Sequence, residues 1–145
     1  MRRFADLHDI SNPDVRAKFA GYPAPVRTKM LRLRRLIFET AVAHDLLATM
    51  KESLSWGEPS YLAKGGSAVR IDWKPATPGR YAMYFHCQTS LVETFRVVHP
   101  DELSFEGNRA IVFERSAAVP VGAVRHCVSL ALRYHALKRL PLLGV

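Results

Sequence analysis

Apolar side chains near both ends of the chain recur at three- and four-residue steps, the spacing of an amphipathic helix. A helix is predicted over residues 25–43, with its apolar face at Val26, Met30, Leu33, Ile37 and Ala41. A shorter helix is predicted over residues 13–20, because Asn12 suits an N-cap and Pro13 suits the first helical position. A long helix is predicted over residues 120–140 from the same kind of spacing.

The middle of the chain changes to the two-residue alternation of half-buried strands. Strands are predicted over residues 68–73 and 81–87, and a short helix over 90–98. Gly107-Asn108 predicts a two-residue hairpin turn that sets Glu106 opposite Arg109. Residues 53–61 are predicted to form a loop, because glycine and proline interrupt them.

These elements predict an α+β fold with one domain spanning residues 1–145. Hairpin-linked strands between terminal helices form a two-layer sandwich when the helices cover one face of the sheet. We therefore expect an antiparallel sheet of about four to five strands, with the N- and C-terminal helices packed on one face. The sequence contains no internal repeat and no linker that would divide it.

Basic residues exceed acidic ones by 21 to 13, which gives a formal net charge of +8. An excess of this size favours loose association with nucleic acid or another polyanion. The densest cluster lies on the second helix and contains Arg27, Lys29, Arg32, Arg34 and Arg35. These residues spread around the polar arc of the helix, so they form either a solvated surface or a weak nucleic-acid contact.

Two polar features suggest a small-ligand surface. In the first, Gly57 and Pro59 shape a loop in which Trp56 and Tyr61 wall a pocket with Glu58 at its mouth. In the second, one face of the two predicted strands carries Arg70, Asp72, Tyr84 and His86. The alternatives are that Trp56 fills the core and that His86 is an ordinary solvated histidine.

The segments Trp56-Gly57-Glu58-Pro59-Ser60-Tyr61 and Tyr134-His135-Ala136-Leu137-Lys138-Arg139-Leu140-Pro141-Leu142-Leu143-Gly144 resemble the YdhG-like family of bacterial domains of unknown function. The resemblance extends over about residues 19–144. It implies a frataxin-like shape, with two helices on one face of an antiparallel sheet, and it implies iron as a possible ligand. It implies no enzyme activity.

The charge of the chain opposes the iron implied by this resemblance. Hard cations prefer several clustered oxygen ligands, whereas Asp6, Asp9 and Asp14 are dispersed in a chain of net charge +8. The sequence therefore assigns no metal ligands, and the predicted partner is either an unidentified small ligand or a metal ion.

Motifs typical of enzymes are missing from the sequence: it has no G-x-S-x-G element and no glycine-rich phosphate loop. We therefore predict a non-catalytic protein. No apolar run approaches the roughly 20 residues of a membrane span, and no secretory signal is visible, so we predict a cytoplasmic protein without membrane contact. The apolar tail at residues 140–145 predicts either packing within the chain or a homodimer.

Overall fold

The computed structural model describes residues 3–145, and its centre is a six-stranded antiparallel sheet in the order β1-β2-β3-β4-β6-β5. The strands are β1 (Lys51–Ser55), β2 (Glu58–Leu62), β3 (Val69–Trp73), β4 (Arg80–Phe85), β5 (Ser104–Glu106) and β6 (Ala110–Glu114). The helices are α1 (Pro13–Gly21), α2 (Ala24–Ala43), α3 (Leu91–Val98), α4 (Val121–Leu132) and α5 (Tyr134–Leu137). The predicted α+β two-layer fold is confirmed, although the sheet has six strands rather than four or five.

The hydrophobic core lies between one face of the sheet and the long helices. Alternation along the strands places Val69, Ile71, Met83, Phe85 and Ile111 on this face, where all are fully or almost fully buried. Helices α2 and α4 pack against each other and against β3. Burial of each such side chain contributes about 1.5–3 kcal/mol to the stability of the fold. Because the alternation assigns these side chains to one face of the sheet, the other face stays open.

The segment predicted as a loop is a β-hairpin. Strands β1 and β2 pair from Lys51↔Leu62 to Ser55↔Glu58, and Trp56 and Gly57 form the turn. Pro59 is tolerated because it lies opposite Leu54 at a position where a backbone N–H would point away from β1. Pairing of β2 with β3 covers only Ser60 and Tyr61, so no ladder bond is lost at the proline.

The second hairpin has a different register from the predicted one. Glu106 lies opposite Ala110 rather than Arg109, because the connection has three residues and begins with Gly107 at φ 56°. Arg109 therefore belongs to the connection and is not the cross-strand partner of Glu106. The closest basic partner of Glu106 is Arg80, at 4.0 Å.

The predicted long C-terminal helix is interrupted at Arg133. The N–H of Ser67 donates to the carbonyl of Ala131 at 2.9 Å, and the N–H of His135 donates to the carbonyl of Gly65 at 3.0 Å. These bonds replace the helical bond between His135 and Ala131. A loop from the sheet therefore ends α4 at Leu132, and a short α5 follows.

His44, just beyond α2, provides a pH-dependent contribution to stability. Its Nε2 lies 2.8 Å from the Ser129 hydroxyl. Burial and then the Arg133 guanidinium lower the pKa of His44. The unfolded chain therefore binds this proton at a higher pH than the folded chain does, so the contribution is complete above about pH 6.5 and declines as the pH falls.

We expect His44→Gln, which keeps a polar group near Ser129 without titrating, to lose less stability between pH 7 and pH 5 than the wild type. Urea unfolding at the two pH values measures the difference. His8→Gln, at an exposed histidine, is the matched control and should behave like the wild type. An unchanged pH dependence in the His44 variant would contradict the assignment.

Candidate functional site

The open face of the sheet carries a polar depression with a volume of about 510 Å³. Its lining residues are Trp56, Glu58, Arg70, Lys74, Tyr84, Glu106 and Arg109. A second depression of about 180 Å³ adjoins it and shares Lys74, Tyr84 and Glu106. Strand pairing explains the grouping, because Arg70 lies opposite Tyr84 and Tyr84 lies opposite Ala110. We call the combined surface the open-face groove.

Trp56 stands at the rim of the open-face groove with 90% of its surface exposed. It occupies the first turn position at φ 55°, and Gly57 follows at φ 75°. Two positive φ values in a two-residue hairpin turn are typical of type I′, which favours Asn, Asp and Gly. A bulky residue in this conformation costs about 1–3 kcal/mol. The turn thus holds a large aromatic ring in water at a conformational cost.

Two almost buried carboxylates support the floor of the groove. Glu58 lies 3.2 Å from Arg70 and 2.9 Å from Lys74. Asp72 lies 3.0 Å from Lys74 and accepts a 2.6 Å hydrogen bond from the Tyr22 hydroxyl. Burial opposes the charge of Lys74, but the hydrogen bonds to Glu58 and Asp72 outweigh it and raise the pKa of Lys74. The lysine therefore stays protonated at neutral pH.

The ring of Tyr84 is surrounded by positive charge. The Arg70 and Arg109 guanidinium carbons each lie 5.9 Å from the ring centroid, and the Lys74 ammonium lies 5.7 Å from it. These distances suit cation–π attraction. Burial is the largest cause that raises the pKa of Tyr84, so its phenol stays neutral and available as a hydrogen-bond donor.

Arg109 differs from the other cations of the groove. Arg70 and Lys74 face Glu58, and Arg80 lies 4.0 Å from Glu106. Within residues 3–145, no carboxylate lies within 4 Å of the Arg109 guanidinium. The uncompensated charge of the groove is therefore positive, which favours an anion.

Four of the six ligand residues predicted from sequence meet in the groove: Trp56, Glu58, Arg70 and Tyr84. Tyr61 does not, because the alternation along β2 places its side chain on the core face of the sheet. It is fully buried there, and its ring centroid lies 5.7 Å from that of Phe38. His86 lies beyond the end of β4 and is exposed, with its Nδ1 3.1 Å from the backbone N–H of Gln88.

Sequence reasoning missed Lys74 and Arg109. Lys74 directly follows β3 and lies four residues after Arg70. Extending the alternation of β3 by one residue would therefore have placed Lys74 on the same face of the sheet as Arg70. Arg109 had no such signal, because its position depends on the three-residue connection between β5 and β6.

The basic cluster on α2 does not form one cationic surface. Arg34 is 1% exposed and binds both Glu52 oxygens, at 2.7 and 2.9 Å. Arg27 donates to backbone carbonyls at the end of α1, and Arg35 pairs with Glu39 at 3.1 Å. Lys29 and Arg32 form no salt bridge within residues 3–145, and Arg32 is exposed.

The apolar tail is partly integrated into the fold. Leu143 is 2% exposed and belongs to the core, while Leu140, Leu142 and Val145 are about half exposed, at 48%, 46% and 52%. Packing within the chain therefore accounts for one of these large side chains, and the homodimer remains a prediction. Over the described residues, no helix has both the length and the apolarity needed to cross a membrane.

Residues 3–145 contain no group of three or more His, Cys, Asp and Glu side chains arranged to hold a metal ion. Comparison with known proteins found no matching family model, no matching curated protein and no matching solved structure. The function is therefore argued from the groove itself.

Proposed function

We propose that this protein is a small non-catalytic binding domain that holds an organic anion with a flat ring in the open-face groove. The observation that carries the proposal is the pairing of an exposed, conformationally costly Trp56 with the uncompensated guanidinium of Arg109 on one surface. The two groups supply the two contacts that such a ligand needs.

Trp56 supplies the apolar contact. An indole at 90% exposure offers a large face for ring stacking, and an aromatic pair contributes about 0.5–1.5 kcal/mol beyond area burial. The hairpin turn fixes the backbone of Trp56 at the rim of the groove, so its position needs no loop ordering on binding.

Arg109, with Lys74 and Arg70 around Tyr84, supplies the anion contact. A guanidinium offers two parallel N–H donors that match a carboxylate or phosphate. The negative charges of Glu58 and Asp72 are compensated by Lys74, and Asp72 also accepts the hydrogen bond from Tyr22. This supports the interpretation that these carboxylates shape the groove and do not carry protons in a reaction.

The proposal is tested with the full chain and pairs of probes that share a ring and differ in charge. Naphthoate and naphthyl phosphate should raise the melting temperature, whereas naphthamide should not. At about 100 times the dissociation constant the gain is about 2.7 kcal/mol. A shift from the neutral amide alone, or from none of the probes, would reject an anion site.

Two variants assign the effect to the groove. Trp56→Ala should weaken naphthoate binding about three- to tenfold through lost stacking, and Arg109→Ala about tenfold or more through a lost charge-assisted bond. Arg139→Ala, at an exposed arginine in the C-terminal segment, removes the same charge and is the matched control. Equal loss in the Arg139 variant would indicate a general charge effect.

Nucleic acid is the second candidate ligand, and the net charge of +8 favours it. Binding of single-stranded DNA that weakens steeply with salt and falls in Lys29→Ala and Arg32→Ala would support this function. Iron, implied by the sequence resemblance, is tested by an anaerobic melt with excess ferrous ion. No rise in melting temperature would remove it.

A further inference from the structure

Two histidines from different helical segments face each other away from the open-face groove. The Nε2 atom of His99, the residue directly after α3, lies 2.8 Å from Nδ1 of His126 on α4. Their rings meet edge to face, with centroids 5.1 Å apart. The pair therefore brings two imidazole nitrogens to one point on the protein.

A carboxylate orients the first of these rings. Oε1 of Glu102 lies 3.3 Å from Nδ1 of His99. In this arrangement Nδ1–H of His99 donates to the carboxylate, and the Nε2 lone pair accepts from Nδ1–H of His126, so a bound ion would take the place of that proton. Metal-binding histidines almost always have such a partner on the second nitrogen, which fixes the tautomer and raises the basicity of the ligand.

The spacing of the two nitrogens is close to that of a chelate. Two nitrogens bound to one tetrahedral ion at metal–nitrogen distances of about 2.0–2.1 Å lie about 3.3 Å apart. The present separation is 2.8 Å, so a ring movement of about half an ångström, with rotation, would admit an ion between them.

The pair is partly open to solvent. His126 is half-buried, and the side chains of Glu102 and His99 are 55% and 13% exposed. The coordination positions that the protein leaves open can be filled by water, as at a surface site with two protein ligands.

We propose that His99 and His126 bind one divalent transition-metal ion of the imidazole-preferring kind (Zn²⁺, Ni²⁺ or Cu²⁺), with Glu102 positioning His99. Neutral imidazole suits these ions, whereas Mg²⁺ and Ca²⁺ prefer oxygen ligands. The site is independent of the proposed anion groove, because it shares no residue with it.

The test is a calorimetric titration of tag-free, chelator-treated full chain with zinc chloride. We expect one ion per chain, tighter binding of Cu²⁺ than of Zn²⁺ or Ni²⁺, and no binding of Mg²⁺. Affinity should fall as the pH is lowered, because protons compete with the metal ion for the imidazole nitrogens. Absence of zinc binding at neutral pH would overturn the proposal.

Variants locate the ion. His126→Ala should lose at least tenfold in zinc affinity, and Glu102→Gln about tenfold through loss of the orienting carboxylate. His86→Ala removes an exposed histidine outside the pair and should bind like the wild type. Unchanged affinity in the His126 variant, or an equal loss in the His86 variant, would overturn the site.

A spectroscopic readout keeps the assignment independent of variant stability. Substoichiometric Cu²⁺ added to the wild type should broaden the imidazole C–H proton signals of His99 and His126 before those of the other histidines. Broadening that begins elsewhere would place the ion at another position and reject the pair.

Discussion

Replacing Arg34 by alanine should destabilise the protein by about 3–5 kcal/mol, because it leaves the Glu52 carboxylate almost buried without its partner. The two side chains are 2% and 10% exposed and share two short hydrogen bonds. Arg34 also donates to the carbonyls of Phe4 and Asp9, so the variant releases the N-terminal segment from α2. Chemical unfolding measures the loss, which corresponds to a fall in melting temperature of about 10 °C or more.

The matched control is Arg35→Ala on the same helix. Arg35 and Glu39 are 38% and 36% exposed, and exposed pairs of this kind contribute about 0.3–0.5 kcal/mol. A double variant, Arg34→Met with Glu52→Leu, should recover most of the stability, because no unpaired charge stays buried. An Arg34→Ala loss no larger than that of Arg35→Ala would show that the buried pair does not stabilise the fold.

Replacing Gly66 by alanine is the second change with a large expected effect. A β-carbon at this position would lie 2.6 Å from the carbonyl oxygen of Leu132, a backbone atom that cannot rotate away. Overpacking costs about 1–3 kcal/mol. The required shift also strains the bonds from Ser67 to Ala131 and from His135 to Gly65, each worth about 1 kcal/mol.

Thermal and urea unfolding of Gly66→Ala measure this cost. Gly79→Ala is the control, because a β-carbon there meets no atom within 4 Å and needs no left-handed backbone. It should leave stability unchanged or raise it slightly by restricting the unfolded chain. Equal stability of the two variants would show that the contact between the loop and α4 relaxes freely.

The two proposed sites can be tested independently of each other. The open-face groove depends on Trp56 and Arg109, and the metal site depends on His99 and His126. Zinc binding by the Trp56 variant and anion binding by the His126 variant should each stay at the wild-type level. Each proposal can therefore fail without the other.

Part of the groove was predictable from the sequence because strand alternation is a local property. Arg70 and Tyr84 share a face by parity, and their pairing then brings them together. Trp56 and Glu58 were found as candidates in a segment predicted as a loop, although that segment is a hairpin. If the segment had been recognised as a strand, the same alternation would have placed Tyr61 in the core, where it lies.

The sequence by itself determined the helix and strand content of most of the chain and the α+β class, because periodicity of apolar residues decides which face each element buries. Tertiary structure decided where α4 ends, since its terminal hydrogen bonds are replaced by those of a loop about 65 residues earlier in the chain. It also decided which of the basic residues on α2 are buried, since Arg34 meets Glu52 only once β1 packs nearby. Such contacts join residues distant in sequence, and no local pattern encodes them.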